Sequence, residues 1–318
     1  MMIPAMGTIT FSDSPRIIWY MLLSHEEGVL PTSAAIVPTL SLTSVNILVM
    51  LLSIQPIRSS FMASSIFSRI NPNISPPFGY AGVAGSEQAR QERDKGRADE
   101  YHTTTGHQLT HTSGLEWYEW AGRSNWQEFR TSENWVDYIL NRNLISTPGS
   151  SFAYSTGNSH LLAAALENAT GMGELEFAHK NLFDALGMNS VVWGMDPQGV
   201  ADGGNGIAMT VQDAARFGQL YLQGGQWNGE QLIPAQWVKQ STTAKNNGAG
   251  DGTGSYGYQW WIRSFQGYDT FYAFGAHGQF IFVVPQLELV TVIASHSLSD
   301  SYAPRPYFSD YILSAYTG

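Results

Sequence analysis

The chain has 318 residues, 43% hydrophobic and only 13% charged. That is enough apolar material for a sizeable core in one large domain or two small ones, and too little charge for an acidic disordered protein or a coiled coil. A formal charge of −10 argues against a nucleic-acid partner, and the absence of cysteine excludes disulfides, thiolate metal sites and a cysteine nucleophile.

Residues 1–85 form an atypical low-charge segment without an assignment. No charge occurs from Gly28 to Ile57, and Val45 to Ile54 is almost continuously apolar. A membrane span needs about 20 apolar residues. Here Pro31, Pro38, Thr39, Ser41, Thr43, Ser44 and Asn46 dilute the run, so the stretch 34–57 is only a weak candidate for a span. The extreme N-terminus lacks the basic region and small-residue cleavage site of a signal peptide, and compartment is not legible. Residues 86–106 change character abruptly. Glu87, Arg90, Glu92, Arg93, Asp94, Lys95, Arg97, Asp99 and Glu100 crowd together, as in a charged linker or solvated helix.

Residues 107–318 read as an enzyme domain. Glu133 to Leu140 has helical spacing, with Trp135, Val136, Ile139 and Leu140 on one face and Thr131 or Ser132 as the expected cap. Pro148-Gly149 marks a turn. Asn158 to Ala169 is a Leu- and Ala-rich helix ended by Thr170-Gly171. Leu175 to Leu186 is another, closed by Gly187. Thr210 is the N-cap of the next, with Asp213 at its third position and Gly224-Gly225 as its stop. Pro234 to Gln240 is a short helix. The period then changes. Tyr256 to Ile262, Thr270 to Phe274, Gln279 to Val284 and Leu287 to Ala294 read as strands, with Val284-Pro285-Gln286 as a tight turn. Tyr307 to Tyr316 is a terminal helix packing back on them. Helices first and antiparallel strands last predict an α+β fold.

Five segments in order carry a resemblance. His107-Gln-Leu-Thr-His-Thr-Ser-Gly-Leu115 resembles the "LLTHTSGL" segment of serine β-lactamase-related hydrolases. This superfamily takes in class C β-lactamases, D-alanyl-D-alanine carboxypeptidases, family VIII esterases and 6-aminohexanoate-dimer hydrolases. Pro148 to Asn158 is similar to their "PG..F.YS..N" segment, and Gly206 to Gly218 to their "G...T..D.ARFG" segment. Gly257 to Trp261, then Gly275 to Gln279 with Phe282 to Pro285, resemble their last strands. The likeness covers about two thirds of the chain and favours the nylon-hydrolase and esterase branch. It implies a β-lactamase/transpeptidase-like fold: an antiparallel sheet flanked by helices, plus a helical lobe, with an atypical or incomplete N-terminal part. Should residues 1–85 fail to supply edge strands, the strands after Tyr256 would have an uncovered edge and the domain would be prone to aggregate.

The family chemistry needs a Ser-x-x-Lys turn, in which one helical turn sets an ammonium beside the nucleophilic hydroxyl. It also needs a tyrosine that relays the proton, and a cleft strand whose backbone helps to form an oxyanion hole. The resemblance assigns the tyrosine to Tyr154. Thr156 follows it, where class C enzymes carry Asn, which puts β-lactam turnover in doubt. The cleft strand is assigned to His277, Gly278 and Gln279. Tyr154 and His277 are the candidate catalytic residues. Thr156, Gly278, Gln279 and Trp117 are the candidate substrate-binding residues, and Trp117, Tyr118, Trp120 and Trp126 offer cleft-lining aromatics. A core tyrosine, a solvated turn histidine and core aromatics are the plain alternatives for these side chains. The first element is missing. Lys95, Lys180, Lys239 and Lys245 are preceded at three residues by Glu92, Phe177, Gln236 and Thr242, and never by serine. No Gly-x-Ser-x-Gly elbow replaces it.

His107 and His111 are spaced i, i+4, as for a helical metal pair, but no glutamate follows His107 as in the zinc-protease pattern. Gly203-Gly204-Asn205-Gly206 lacks the Lys-Ser/Thr of a phosphate loop. The resemblance implies no metal and no cofactor. The expected activity is hydrolysis of a small-molecule ester or amide through an acyl-serine. The alternative is an inactive homologue, with a truncated or frameshifted N-terminus, acting as a binding module.

Overall fold

A computed structural model describes three strands of the N-terminal segment and residues 103–119, 124–296 and 300–317. In chain order the strands and helices are Ala5–Ile9 (β1), Ile17–Met21 (β2), Leu40–Leu42 (β3), Thr105–Leu109 (α1), Trp126–Thr131 (α2), Trp135–Leu140 (α3) and Thr156–Thr170 (α4). Glu174–Ala178 (α5) runs through a π-helical turn, His179–Phe183, into Asp184–Leu186 (α6), followed by Val192–Trp193 (β4), Ile207–Met209 (β5) and Val211–Leu222 (α7). The remainder is Gln226–Trp227 (β6), Glu230–Gln231 (β7), Ala235–Ser241 (α8), Ser255–Tyr256 (β8), Trp261–Phe265 (β9), Tyr268–Gly275 (β10), Gln279–Val284 (β11) and Leu289–Ala294 (β12). A π-helical Tyr307–Leu313 and Ser314–Thr317 (α9) end the described chain. The weak span candidate at 34–57, apart from β3, and most of 86–106 lie outside the described residues. Among the described residues no helix is long and apolar enough to cross a membrane.

The chain divides into two units. The first comprises residues 1–54, 175–194 and 205–318. Its seven-stranded sheet has the order β1-β2-β12-β11-β10-β9-β8. β11 and β12 are buried at every position, so both faces of the sheet are covered, and each strand reads as a continuous apolar run. Alternation along β11 shows what covers each face. Ile281 points to α7, where a Cβ on Gly218 would fall 2.9 Å from its Cγ2 and 2.7 Å from Val290 Cγ1. Phe282 points the other way and stacks on Phe308 of the C-terminal helix, with ring centroids 3.9 Å apart. The helix–sheet–helix layering expected of the α+β fold is present. β2 runs parallel to β12, pairing Ile17 with Val290 through Met21 with Ala294, and β1 pairs with β2. The N-terminal segment therefore does supply strands beside β12, and the uncovered edge expected there is absent.

Three local expectations needed correction. Tyr256 to Ile262 is not one strand. It folds into a tight hairpin, β8 against β9, with Gln259 at φ 64 and Gly257 N–H on Trp260 C=O at 2.8 Å. The turn carries the fully buried Trp260 inward against Tyr221 and Phe271. The helix expected over Leu175 to Leu186 contains the π turn. A wider turn sets residues five apart on one face, and Phe177, Ala178, Leu182 and Phe183 are all fully buried. Finally, Asn134, not Thr131 or Ser132, caps α3: its side chain accepts from Asp137 N–H at 3.0 Å. The cap of α7 is as expected, Thr210 Oγ1 accepting from Asp213 N–H at 3.0 Å.

The second unit comprises residues 55–174 and 195–204. It is organised around α4, which is buried on nearly all sides from Thr156 to Leu166. Ser155 caps its start, the side chain accepting from Asn158 N–H at 3.1 Å, and Gly171 ends it in the left-handed conformation. The segment 195–204 is fastened to α2 and α4 by two polar links. Arg130 donates to Asp202 at 2.5 Å, and His160 Nε2 lies 3.1 Å from Asp196, both side chains fully buried.

Candidate active site

Tyr154 sits immediately before the cap of α4. The segment leading to it lies along residues 111–114: Gly149 N–H donates to Thr112 C=O at 2.7 Å, and Ala153 N–H to His111 C=O at 2.8 Å. His111 is itself buried, with a left-handed backbone at φ 53. Its ring lies on the ring of Tyr154, centroids 4.4 Å apart, and its Nδ1 accepts from Ser155 N–H at 3.3 Å. Tyr154 is half-buried.

The next residue is held by a different group. Thr156 opens α4, and its N–H donates to Glu119 Oε2 at 3.0 Å, while its hydroxyl donates to Glu119 Oε1. Trp117 Nε1–H donates to Glu119 Oε2 at 2.5 Å. A carboxylate at a helix N-terminus meets unsatisfied N–H groups and the positive end of the dipole. Burial nevertheless raises the Glu119 pKa above its ordinary value, against the lowering effect of the Thr156 and Trp117 hydrogen bonds. Trp117 and Thr156, expected to meet substrate, are therefore both buried and both engaged with Glu119. Trp117 packs edge-on against Phe129 and Tyr138. Trp126 is partly exposed, and Trp120 lies outside the described residues.

The same unit buries further acids. Burial raises the pKa of Asp202 against the opposing His160 and Arg130 charges. Burial of Asp196 acts upward too, but hydrogen bonds from His160 and from the Val200 and Gln198 N–H groups outweigh it and hold its pKa below the ordinary value. Glu174 is fully buried, and neither carboxyl oxygen has a hydrogen-bond partner among the described residues. Burial pushes its pKa well up, and the Asp202 and Glu167 carboxylates add to this.

In the other unit, Gly275 to Gln279 forms the hairpin between β10 and β11, closed by Gly278 N–H on Gly275 C=O at 3.2 Å. His277 and Gly278 both have positive φ, 66 and 89. The second position favours glycine twice over, because a Cβ there would also fall 2.7 Å from Pro304 Cγ. His277 is exposed, its N–H donating to Ser301 Oγ at 2.9 Å and its ring 5.1 Å from that of His296. Gln279 is buried and donates to Ser295 C=O at 3.0 Å. The structure thus gathers Tyr154, Thr156 and Trp117 in one unit and His277, Gly278 and Gln279 in the other.

His107 and His111 do not share a helical face, since α1 ends at Leu109 and His111 turns into the left-handed region. Among the described residues no group of three or more His, Asp or Glu side chains is placed to hold a metal ion. Sequence reasoning missed Glu119 and the part played by His111. The only signal was position: Glu119 lies two residues after Trp117, and His111 lies within the Thr-His-Thr-Ser-Gly motif.

A family model described as Beta-lactamase matches residues 89–310. The 6-aminohexanoate-dimer hydrolase of Paenarthrobacter ureafaciens is 26% identical over 150 residues, which is 44% of this chain but only 38% of that enzyme's length. Among solved structures, a β-lactamase from Mycobacterium bovis superposes with a TM-score of 0.56 at 21% identity, covering 92% of each chain. EstCE1, a hydrolase with promiscuous acyltransferase activity, superposes with a TM-score of 0.62 at 16% identity, covering 87% of this chain and 84% of its own. At these identities the solved structures speak to the fold, which is β-lactamase/transpeptidase-like.

Proposed function

Since the chain belongs to the Beta-lactamase family of serine hydrolases, we propose that it cleaves the ester or amide bond of a small molecule through an acyl-serine, with Tyr154 relaying the proton. The observation that carries this reading is the fixing of Tyr154 directly before the α4 cap, with the residues on both sides hydrogen-bonded to buried groups. The 6-aminohexanoate-dimer hydrolase that the chain matches supports a small-molecule substrate. Such a cycle requires Tyr154 to be ionised at its start. A serine hydroxyl adds to the substrate carbonyl and its proton passes to the phenolate oxygen. The adduct then collapses, and the phenol returns that proton to the departing alcohol or amine. Water repeats the sequence on the acyl-serine, releasing the acid and restoring the serine. In this reading Trp117 and Thr156, both held by Glu119, shape the wall behind Tyr154.

One observation favours a second reading, in which the chain binds such substrates without turning them over: no lysine has serine three residues before it. A p-nitrophenyl ester separates the two. Hydrolysis predicts a burst of one p-nitrophenolate per chain and an acyl group mapped by mass spectrometry to a single serine. It also predicts a rate about 10²–10⁴-fold lower in Tyr154→Phe, the usual share of general acid–base catalysis. Saturable binding of a non-hydrolysable analogue with neither burst nor adduct supports the binding reading. Absence of burst, adduct and binding together rejects both.

A further inference from the structure

We infer that His111 is a positioning residue that fixes Tyr154 from three sides, an assignment resting on the reading of Tyr154 as the proton relay. The first tie is backbone: His111 C=O accepts from Ala153 N–H, one residue before Tyr154. The second is side chain: His111 Nδ1 accepts from Ser155 N–H, one residue after it. The third is ring on ring, at 4.4 Å between centroids and 39° between planes.

The second tie has a particular place in helix architecture. In a capping box, the side chain at the third helical position reaches back to the N–H of the cap residue. The cap of α4 is Ser155, and that third position is Asn158. The Ser155 N–H goes instead to a histidine 44 residues upstream. The link that normally closes a helix start on itself is thus handed to the residue under the tyrosine. An Nδ1 that accepts a hydrogen bond leaves the ring proton on Nε2, so His111 does this as the neutral imidazole. A left-handed backbone at a non-glycine residue is also uncommon. Here it lets one residue direct both its carbonyl and its ring to the same segment.

Three measurements on the full chain test this. In the ¹⁵N spectrum of the wild-type protein, His111 should carry its proton on Nε2 with Nδ1 bare; a protonated Nδ1 overturns the assignment without any substitution. His111→Asn places an amide oxygen near the Nδ1 position and tolerates positive φ, whereas His111→Leu fills the space without an acceptor. Hydrogen exchange at Ser155 N–H should stay near wild type in the asparagine variant. In the leucine variant it should accelerate roughly tenfold, the worth of one hydrogen bond, with the amides of Leu161 to Leu166 unchanged. Equal protection in both variants would mean that His111 only fills volume, and the proposal falls. Should His111→Leu not fold, the wild-type tautomer and the asparagine variant still decide. The ester assay reads the other half. If the phenylalanine variant at Tyr154 hydrolyses as fast as wild type, the catalytic reading fails, while the spectra continue to judge the positioning.

Discussion

Removing the Glu119 carboxylate should unfasten the start of the central helix. In Glu119→Ala three donors lose their acceptor at once: the Thr156 N–H, the Thr156 hydroxyl and the Trp117 indole N–H. Thr156 is 3% and Trp117 5% exposed, so water does not readily replace the lost partner. An orphaned buried donor costs about 1–3 kcal/mol. Part of the sum is recovered because a carboxyl group burdened by burial is removed. The net loss should be about 2–5 kcal/mol, a large share of the roughly 5–15 kcal/mol that holds a domain folded. Glu119→Gln should cost only about 1 kcal/mol, because an amide oxygen still accepts and the Thr156 hydroxyl can turn to receive the NH₂ group. Urea unfolding at pH 7, followed by tryptophan fluorescence and helical circular dichroism, measures both. The reasoning is refuted if the alanine variant lies within about 0.5 kcal/mol of wild type, or if glutamine costs as much as alanine.

Two further outcomes follow from the same geometry. Glu174 has a raised folded pKa, so the folded state holds its proton more tightly than the unfolded chain. Its ionisation should therefore erode stability as pH rises from the ordinary carboxylate range up to that raised pKa. Glu174→Gln should remove this slope and melt higher than wild type above the range. Thermal melts of both proteins across pH 5–9 check it, and parallel curves would count against the burial argument. In the first unit, Gly218→Val must push its branches into Val290 and Ile281. A loss of about 1–3 kcal/mol is expected from overpacking, read as a lower urea midpoint, and an unchanged midpoint would mean that α7 does not press on the sheet as described.

What could be read before any coordinates was what depends on short sequence separation. Thr210 with Asp213 signals a cap because the hydroxyl and the N–H it meets are three residues apart. β11 spans Gln279–Val284 as expected, because an apolar run of that length with a turn before it suits a strand covered on both faces. Tyr154 could be singled out because its motif is contiguous. Tertiary structure decided everything that depends on groups far apart in the chain. Glu119 meets Thr156 and His111 meets Ser155 across 37 and 44 residues, and no local pattern marks which acid or imidazole will be folded against which helix start. The break between Tyr256 and Trp261 was hidden for a related reason. Local β propensity favours an unbroken run, but the core formed by Phe217, Tyr221 and Phe271 draws Trp260 inward and forces the chain to turn. The pairing of β2 with β12 likewise joins strands at opposite ends of the sequence. Hydrogen bonds along a sheet edge are specified by backbone geometry alone, so the residue types of that low-charge segment gave no sign of its partner.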